Sequence, residues 1–388
     1  MLYLLLTYLS DWLVETGLWP YVRVMDQVQF RALVAALISF ALVVLMGKPV
    51  IGFLVRQKIG DTGATDAELL RNVSTSKANT PTMGGILIVG AVLVATILLA
   101  DISQFYVYMG MVVMLWMAAL GAIDDWLKLT SKRRGDTGRQ GLYAWEKLAF
   151  QLGIGLIAAY FVHRQGVGTE DVRHVLNLPF QRTYEGVAKG LNTELIFLGP
   201  AIFAVVGMLM IAGMSNAANI TDGMDGLAAG ITTAVCFGLV VLGFVAGELN
   251  WAQYLLVPHV PGAGELAVIA GALAGACLGF LWWNCSPAHV FMGDTGSLAL
   301  GGLIGFIAVV LRQEVVVLVM TGIFLAELGS VVLQVGCFKL TGGKRIFRCA
   351  PYHHHLHLGG WPEPRVVARL WIISVVLVVI GLATLKLR

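Results

Sequence analysis

The segment 284–297 contains the residue whose chemistry is easiest to interpret, Asp294. It lies between two strongly apolar runs, and the nearest charged residues along the chain are Glu265 and Arg312. An isolated carboxylate at a membrane face needs a cation or several hydrogen-bond donors to offset its desolvation. Glycines stand close to it on both sides, and glycine lets backbone approach a ligand. We therefore predict that Asp294 is the centre of a metal–phosphate site.

Two adjacent carboxylates, Asp124 and Asp125, directly follow a long uncharged run. Their mutual repulsion calls for a divalent cation, a lysine or a retained proton. On a helix, Lys128 shares a face with Asp124 because the two are four residues apart. This pattern favours a metal-bridged diphosphate or a general base. A solvated helix terminus is the alternative, although the helix dipole disfavours acids at a C-terminal end.

A third polar group recurs every three residues and consists of Asn219, Asp222 and Asp225. A glycine follows each aspartate, and charge-free apolar runs flank the segment. One face could therefore present an amide and two carboxylates to a base, a sugar or a metal ion. The spacing and the closing glutamate of an EF-hand calcium loop are absent. A polar turn without a binding role is the alternative.

Two segments add candidates for substrate binding. Lys77 and Thr82 belong to a turn in which Thr-Pro-Thr precedes Gly-Gly, and the lysine could meet a phosphate as a point charge. The alternative is that Lys77 only contributes to the excess of positive charge expected on the cytoplasmic face. In the segment 284–297, Asn284 is a candidate polar contact, and Phe291 could stack on a base or anchor the membrane interface.

A histidine run, His353, His354 and His355, follows a basic cluster that would attract anions. Zinc is possible on composition, but no cysteine or acid stands at ligand spacing, and Mg²⁺ prefers oxygen ligands. We therefore expect these histidines to bind phosphate by hydrogen bonds. Glu327 lies in the middle of an apolar run, where a carboxylate is either functional or a protonated contact between helices.

Composition identifies a polytopic membrane protein. The chain has 388 residues, of which 58% are hydrophobic and 13% charged, whereas soluble domains carry about 25% charged residues. A net charge of +3 is too small to suggest nucleic acid as a partner. The five cysteines form no CxxC pair, so we expect buried inert thiols. The N-terminus shows no basic region followed by a cleavage site, so we expect no removable signal peptide.

The apolar runs predict an all-α fold with about ten transmembrane helices in a single catalytic domain, residues 31–388. Each run approaches the roughly 20 residues that cross a bilayer. Residues 1–30 are predicted to form an interfacial lead-in. The predicted spans are 31–55, 84–100, 102–123, 147–163, 195–214, 227–247, 266–283, 297–311, 315–338 and 369–387.

Ten spans divide the loops between two membrane faces. The loops after the odd-numbered spans hold most of the lysines and arginines, which predicts that they are cytoplasmic. Apart from Glu327, every polar group described above lies in the same loops. Carboxylates and amides with basic surroundings suit Mg²⁺ and phosphates, and an enzyme within the membrane would use a lipid as one substrate. We therefore expect phosphoryl transfer between a soluble nucleotide derivative and a lipid, at a cytoplasmic-face active site.

Four motifs together resemble the phospho-N-acetylmuramoyl-pentapeptide transferase family. They are Asp124-Asp125-x-x-Lys128, Asn219-x-x-Asp222-Gly-x-Asp225-Gly, Phe291-Met-Gly-Asp294-x-Gly-Ser and Pro351-x-His-His-His. The wider superfamily of polyprenyl-phosphate N-acetylhexosamine-1-phosphate transferases shares the first three. The histidine motif and its flanks are similar to the muramoyl branch. Ser74 and Asn79 depart from the family, which has His and Gly at these positions, and Leu356-His357 replaces the usual Phe-Glu.

The resemblance implies a ten-helix protein of the bacterial inner membrane with both termini periplasmic. It implies transfer of phospho-MurNAc-pentapeptide from UDP-MurNAc-pentapeptide to undecaprenyl phosphate, giving lipid I and UMP, with Mg²⁺ as cofactor. This reaction belongs to peptidoglycan synthesis and so to cell shape and cell division. A homodimer is also implied. The alternatives are a UDP-GlcNAc:undecaprenyl-phosphate GlcNAc-1-phosphate transferase and a transporter, although a transporter would carry its charges near the membrane midplane.

The resemblance also implies a role for each matched residue. Asp294 would ligate Mg²⁺. Asp124 and Asp125 would handle the lipid phosphate, one of them as a base. Phe291 would stack on uracil, within a nucleotide pocket lined by Lys77, Asn219, Asp222 and Asp225. The remaining contacts to phosphates or sugar would come from Thr82, Lys128, Asn284, His353, His354 and His355, of which His354 is the candidate catalytic histidine.

Overall fold

The computed structural model describes residues 1–57, 80–131, 141–168, 171–185 and 190–386. Within these ranges the chain is almost entirely helical. The helices in chain order are α1 Leu2–Tyr8, α2 Ser10–Glu15, α3 Trp19–Val22, α4 Val28–Arg56, α5 Gly85–Leu99, α6 Phe105–Ser131, α7 Ala144–His163, α8 Pro200–Thr221, α9 Leu227–Gly247, α10 Leu249–Tyr254, α11 Leu266–Asn284, α12 Gly293–Val310, α13 Glu314–Met320, α14 Gly322–Leu340, α15 Tyr352–Leu358 and α16 Glu363–Lys386. One small antiparallel pair joins β1, Tyr184–Glu185, to β2, Gly190–Leu191.

The all-α polytopic fold is confirmed. Nine of the helices in the described ranges are long and apolar enough to cross a membrane. The one predicted span without such a helix, 84–100, is the shorter apolar helix α5 of 15 residues, which covers about 22 Å at 1.5 Å per residue. That is less than the roughly 30 Å of a bilayer core.

The predicted span 315–338 is wrong as a single helix. It consists of α13 and α14, which are separated at Thr321, where φ is −93° and ψ is 20°. The Thr321 hydroxyl donates to the carbonyl of Val317 at 2.7 Å and so closes the end of α13. Apolar residues continue on both sides of the break, so hydropathy alone does not reveal it.

Several polar motifs predicted in loops lie on helix ends. The span predicted at 102–123 continues as α6 to Ser131, so the two adjacent aspartates lie on its last turns. The span predicted at 195–214 continues as α8 to Thr221 and carries Asn219. The span predicted at 297–311 begins earlier, as α12 at Gly293, so Asp294 lies in its first turn. Helix ends position these side chains more firmly than loops would.

The most enclosed helix is α12, which packs along α6 and α8. All its residues from Thr295 to Val310 are buried. Close approach depends on glycine at two crossings. A Cβ at Gly121 of α6 would collide with the backbone of Asp294, and a Cβ at Gly301 would collide with the backbone of Met214 in α8. The N-terminus of α12 is thereby fixed between the polar ends of its two neighbours.

The N-terminal segment consists of α1 to α3 and a 3₁₀ turn, Arg23–Asp26, before α4 begins at Val28. Its large apolar side chains are mostly exposed, among them Leu5, Tyr8, Trp12 and Tyr21. The adjacent end of the helix bundle is held by a buried bidentate ion pair, in which Arg31 donates to Glu265 at 2.6 and 2.7 Å.

Candidate active site

Asp294, in the first turn of α12, is the point at which three other elements meet. Its Oδ2 accepts hydrogen bonds from Lys147 Nζ at 2.6 Å and from Lys128 Nζ at 3.1 Å. Its Oδ1 accepts one from Asn219 Nδ2 at 2.8 Å. The positive end of the α12 dipole adds to these donors. The donor network expected around an isolated membrane-face carboxylate is therefore present, and it comes from α6, α7 and α8.

Asp124 joins the same network from α6. Its Oδ2 lies 2.7 Å from Lys128 Nζ and 2.9 Å from Lys147 Nζ, and its Oδ1 accepts from the backbone N–H of Leu142 at 2.7 Å. Two lysines thus bridge Asp124 and Asp294. The side chain of Asp124 is 1% exposed and that of Lys147 16%, so these charges are screened far less than those of a surface ion pair.

Sequence reasoning missed Lys147 as a member of this site. It counted Lys147 only among the many basic residues of the predicted cytoplasmic loops. The available signal was its place on the first turn of the apolar helix α7, where a solvated loop lysine is not expected.

Asp125 has a different task from that of its neighbour. Its carboxylate accepts from the backbone N–H of Asp294 at 3.1 Å and from that of Thr295 at 3.0 Å. The Thr295 hydroxyl donates a third bond at 2.7 Å. Asp125 is 5% exposed and satisfies the free N–H groups at the start of α12. Its predicted part in handling the lipid phosphate stays a prediction.

Asn219 and Asp222 line the α8 side of the site. The Asn219 amide also donates to Ser297 Oγ at 2.9 Å, which ties α8 to the second turn of α12. Asp222 follows the last residue of α8 and is half-buried. Burial and the neighbouring carboxylates, of which Asp294 and Asp125 contribute most, raise the pKa of Asp222 well above its ordinary value. The neighbouring carboxylates therefore disfavour the ionised form of Asp222.

Asp225 and Asn284 form hydrogen bonds to other groups of the protein. Asp225 Oδ2 accepts from the N–H of Ala288 at 3.2 Å, and its own N–H donates to Glu363 of α16 at 2.9 Å. Asn284, 3% exposed, accepts from the N–H of Gly226 at 3.0 Å and donates to the carbonyl of Val290 at 2.8 Å. These bonds join the loop between α8 and α9 to the loop that leads into α12.

Phe291 and Thr82 are placed by a short backbone pairing. The N–H of Phe291 donates to the carbonyl of Pro81, and its carbonyl accepts from the N–H of Gly84, both at 2.8 Å. Thr82 therefore lies against Gly293, whose φ of +74° and close neighbours leave no room for a side chain. Phe291 remains half-buried, so part of its ring is accessible to a ligand. Lys77 lies outside the described residues.

The three histidines of α15 differ in their surroundings. His353 is fully buried, and its Nδ1 lies 3.1 Å from Glu327 Oε2. His355 Nδ1 accepts from the N–H of Arg348 at 3.1 Å, and its ring stacks on Tyr352. His354 is half-buried beside His353. Burial of the whole His353 ring disfavours direct phosphate binding there, whereas His354 and His355 are both half-buried.

The donor set is compatible with Mg²⁺ although it does not form a complete protein cage. Within the described ranges, no group of three or more His, Cys, Asp or Glu side chains is arranged to hold a metal ion. Mg²⁺ commonly binds one or two carboxylates and takes its other ligands from water and substrate phosphates. Asp294 offers a half-buried carboxylate, and the carboxyl group of Asp222 lies close enough to interact with it electrostatically. A cation at Asp294 would relieve their repulsion.

Comparison with known protein families agrees with this arrangement. The model of glycosyl transferase family 4 matches residues 105–312, more than half of the chain, and this stretch includes Asp124, Asn219 and Asp294. The chain belongs to glycosyl transferase family 4. It is a membrane-embedded transferase that passes a phospho-sugar to a polyprenyl phosphate.

A second match defines the branch within that family. Residues 77–89 match signature 1 of the phospho-N-acetylmuramoyl-pentapeptide transferases. This stretch includes Lys77 and Thr82, and it runs into the first turns of α5. The match confirms the family resemblance drawn from the four motifs.

Proposed function

We propose that the protein transfers phospho-MurNAc-pentapeptide from UDP-MurNAc-pentapeptide to undecaprenyl phosphate, giving lipid I and UMP. The reaction takes place at the cytoplasmic face of a bacterial inner membrane and requires Mg²⁺. The observation that carries the proposal is the bridged group of Asp124, Asp294, Lys128 and Lys147 at the N-terminus of α12. Two cations beside two carboxylates suit a diphosphate and its metal ion.

The two lysines are the phosphate-binding groups in this proposal. An ammonium group binds phosphate oxygens as a compact point charge with three donors. Both lysines are already directed to one place by Asp124 and Asp294. An incoming diphosphate would accept hydrogen bonds from them, and Mg²⁺ at Asp294 would neutralise charge on the diphosphate.

We favour direct attack by the lipid phosphate over a covalent intermediate on Asp125, because both oxygens of Asp125 accept bonds from α12. In the direct reaction, an oxygen of undecaprenyl phosphate forms a bond to the phosphorus that carries the sugar. The bond from that phosphorus to the bridging oxygen breaks, and UMP leaves with the electron pair. In this proposal Asp124 would take a proton from the attacking phosphate.

The nucleotide is assigned to the opposite side of α12. Asn219, Asp222 and Asp225 would face the ribose and uracil, with Phe291 stacked on the base and Lys77 near the phosphates. Asn284 is better described as a residue that positions this pocket, because both ends of its amide are bonded within the protein.

The exposed apolar surface of α14 is the observation that favours a lipid as the second substrate. Among its side chains Val332 is 62% exposed and Leu333 58%. The helix leads to the segment that carries the basic cluster and the histidines. An isoprenoid chain along α14 with its phosphate directed to the site agrees with this surface. We expect the protein to be a homodimer in detergent, to be checked by light scattering.

The deciding experiment offers purified protein, Mg²⁺ and undecaprenyl phosphate with one of two sugar donors. UMP release with UDP-MurNAc-pentapeptide and not with UDP-GlcNAc supports the proposal. Release with UDP-GlcNAc alone would assign the chain to the GlcNAc-1-phosphate branch, which the family signature disfavours. No release with either donor would contradict a transferase and favour a transporter.

A further inference from the structure

Glu327 is a buried carboxylate in the membrane-spanning helix α14 that the proposed chemistry does not use. It is 1% exposed, and its Oε2 has two donors, both from His353. The backbone N–H of His353 lies at 3.2 Å and the ring Nδ1 at 3.1 Å. A carboxylate is costly inside a membrane protein unless it is paired, so this contact accounts for its presence there.

The pairing determines which ring nitrogen of His353 carries a hydrogen. An ionised carboxylate accepts only, so Nδ1 donates to Glu327 when Glu327 is ionised. The other nitrogen, Nε2, is buried without a hydrogen-bond partner. It lies against Gly223 so closely that a Cβ at that position would collide with it. A hydrogen on Nε2 would point at this glycine with no acceptor, so the arrangement selects one tautomer.

The glycine under the ring belongs to the segment 222–225, which the proposed function assigns to the nucleotide pocket. This segment and the adjoining Gly226 are held from two other directions. Glu363 of α16 accepts the N–H of Asp225 at 2.9 Å, and Asn284 of α11 accepts the N–H of Gly226 at 3.0 Å. The His353 ring supports it from a third direction, that of α15.

We propose that Glu327 is a positioning residue of the transferase site. It fixes the orientation and the Nδ1–H tautomer of His353, and the ring in turn fixes the segment 222–225 at the nucleotide pocket. The contact runs from α14 through α15 to the loop after α8. This inference rests on the proposed function only in naming the nucleotide as the ligand of that loop.

The first test is made on the substrate-free protein and is independent of activity. Protein labelled with ¹⁵N-histidine contains eight histidines, and comparison with His353→Gln assigns the signals of His353. We expect a directly bonded hydrogen at Nδ1 and none at Nε2. A hydrogen on Nε2, or none on Nδ1, would overturn the proposal whatever the enzyme does.

The second test measures the dissociation constant of UMP in the presence of Mg²⁺. In Glu327→Gln the side chain keeps its size but presents either an oxygen or an amide group to Nδ1, so the tautomer is no longer fixed. We expect UMP binding to weaken roughly tenfold, as for loss of a hydrogen bond to a charged group, and the KM for undecaprenyl phosphate to change much less. Ser330→Ala is the matched control on α14, because Ser330 Oγ donates only to the backbone carbonyl of Glu327.

A double-mutant cycle separates positioning through the ring from a general effect on folding. If Glu327 acts through His353, then Glu327→Gln adds no further loss of UMP binding in a His353→Gln background. Additive losses would contradict the proposal. Wild-type protein that fails to bind UMP would instead contradict the proposed function, while the tautomer result would still stand.

Discussion

Replacing Lys147 by methionine is the sharpest test of the bridged site, because this lysine contacts both carboxylates. The change removes two charge-assisted hydrogen bonds, at 2.6 Å to Asp294 and 2.9 Å to Asp124. Such bonds contribute about 1.5–3 kcal/mol each. The lower value is appropriate because the side chain is 16% exposed, so the loss is about 3 kcal/mol in all. If Lys147 makes bonds of the same strength to the diphosphate in the transition state, kcat/KM should fall on the order of 100-fold, because 1.36 kcal/mol is a factor of ten in rate.

The assay is UMP release from UDP-MurNAc-pentapeptide at varied Mg²⁺. With one cation fewer competing for Asp294, we expect the Mg²⁺ concentration for half-maximal rate to decrease even as the rate itself falls. Lys48→Met is the matched control, because Lys48 is an exposed lysine on α4 that makes none of these contacts. A folded Lys147→Met protein that keeps its activity within about threefold would refute the reasoning, because the bridging bonds would then contribute under 1 kcal/mol.

Three further changes probe the rest of the site. Asp294→Asn should abolish UMP release while the protein still inserts and purifies folded, and release at the wild-type rate would exclude Asp294 as the metal ligand. Phe291→Ala should weaken binding of the UDP-sugar more than binding of the lipid, measured as the two KM values; equal losses would count against stacking on uracil. Asp125→Ala should lower the free energy of unfolding by about 1 kcal/mol or more through loss of the α12 cap, measured by thermal melting in detergent, and an unchanged melting temperature would show that the cap is dispensable.

The sequence was sufficient for the membrane class and for most helices because long apolar runs have few alternatives in a bilayer. The boundaries of α9, Leu227–Gly247, match the predicted span. The break at Thr321 was missed because the residues on both sides are apolar, and a hydropathy pattern cannot distinguish one long helix from two. The break is visible only in the backbone geometry at Thr321.

The site was predictable in part for a related reason. Acidic and amide residues beside apolar runs are rare, so Asp124, Asn219 and Asp294 were conspicuous, and the structure brings all three together. Lysines on the predicted cytoplasmic face already had an explanation in the charge bias, so Lys147 was not conspicuous. The histidine run indicated phosphate binding, but the burial of His353 against Glu327 depends on a contact between α14 and α15.

The division of work between Asp124 and Asp125 follows from helix geometry. Adjacent residues on a helix point in directions about 100° apart. Two neighbouring carboxylates therefore cannot both bind the same group with good geometry. One turns to the lysines, and the other turns to the N-terminus of α12. The second interaction fixes the first turn of α12, which carries Asp294 to the same lysines. Asp125 thus holds the helix that carries Asp294 to the lysines, and Asp124 holds the lysines that bind Asp294. A movement of α12 would disturb the contacts of both carboxylates.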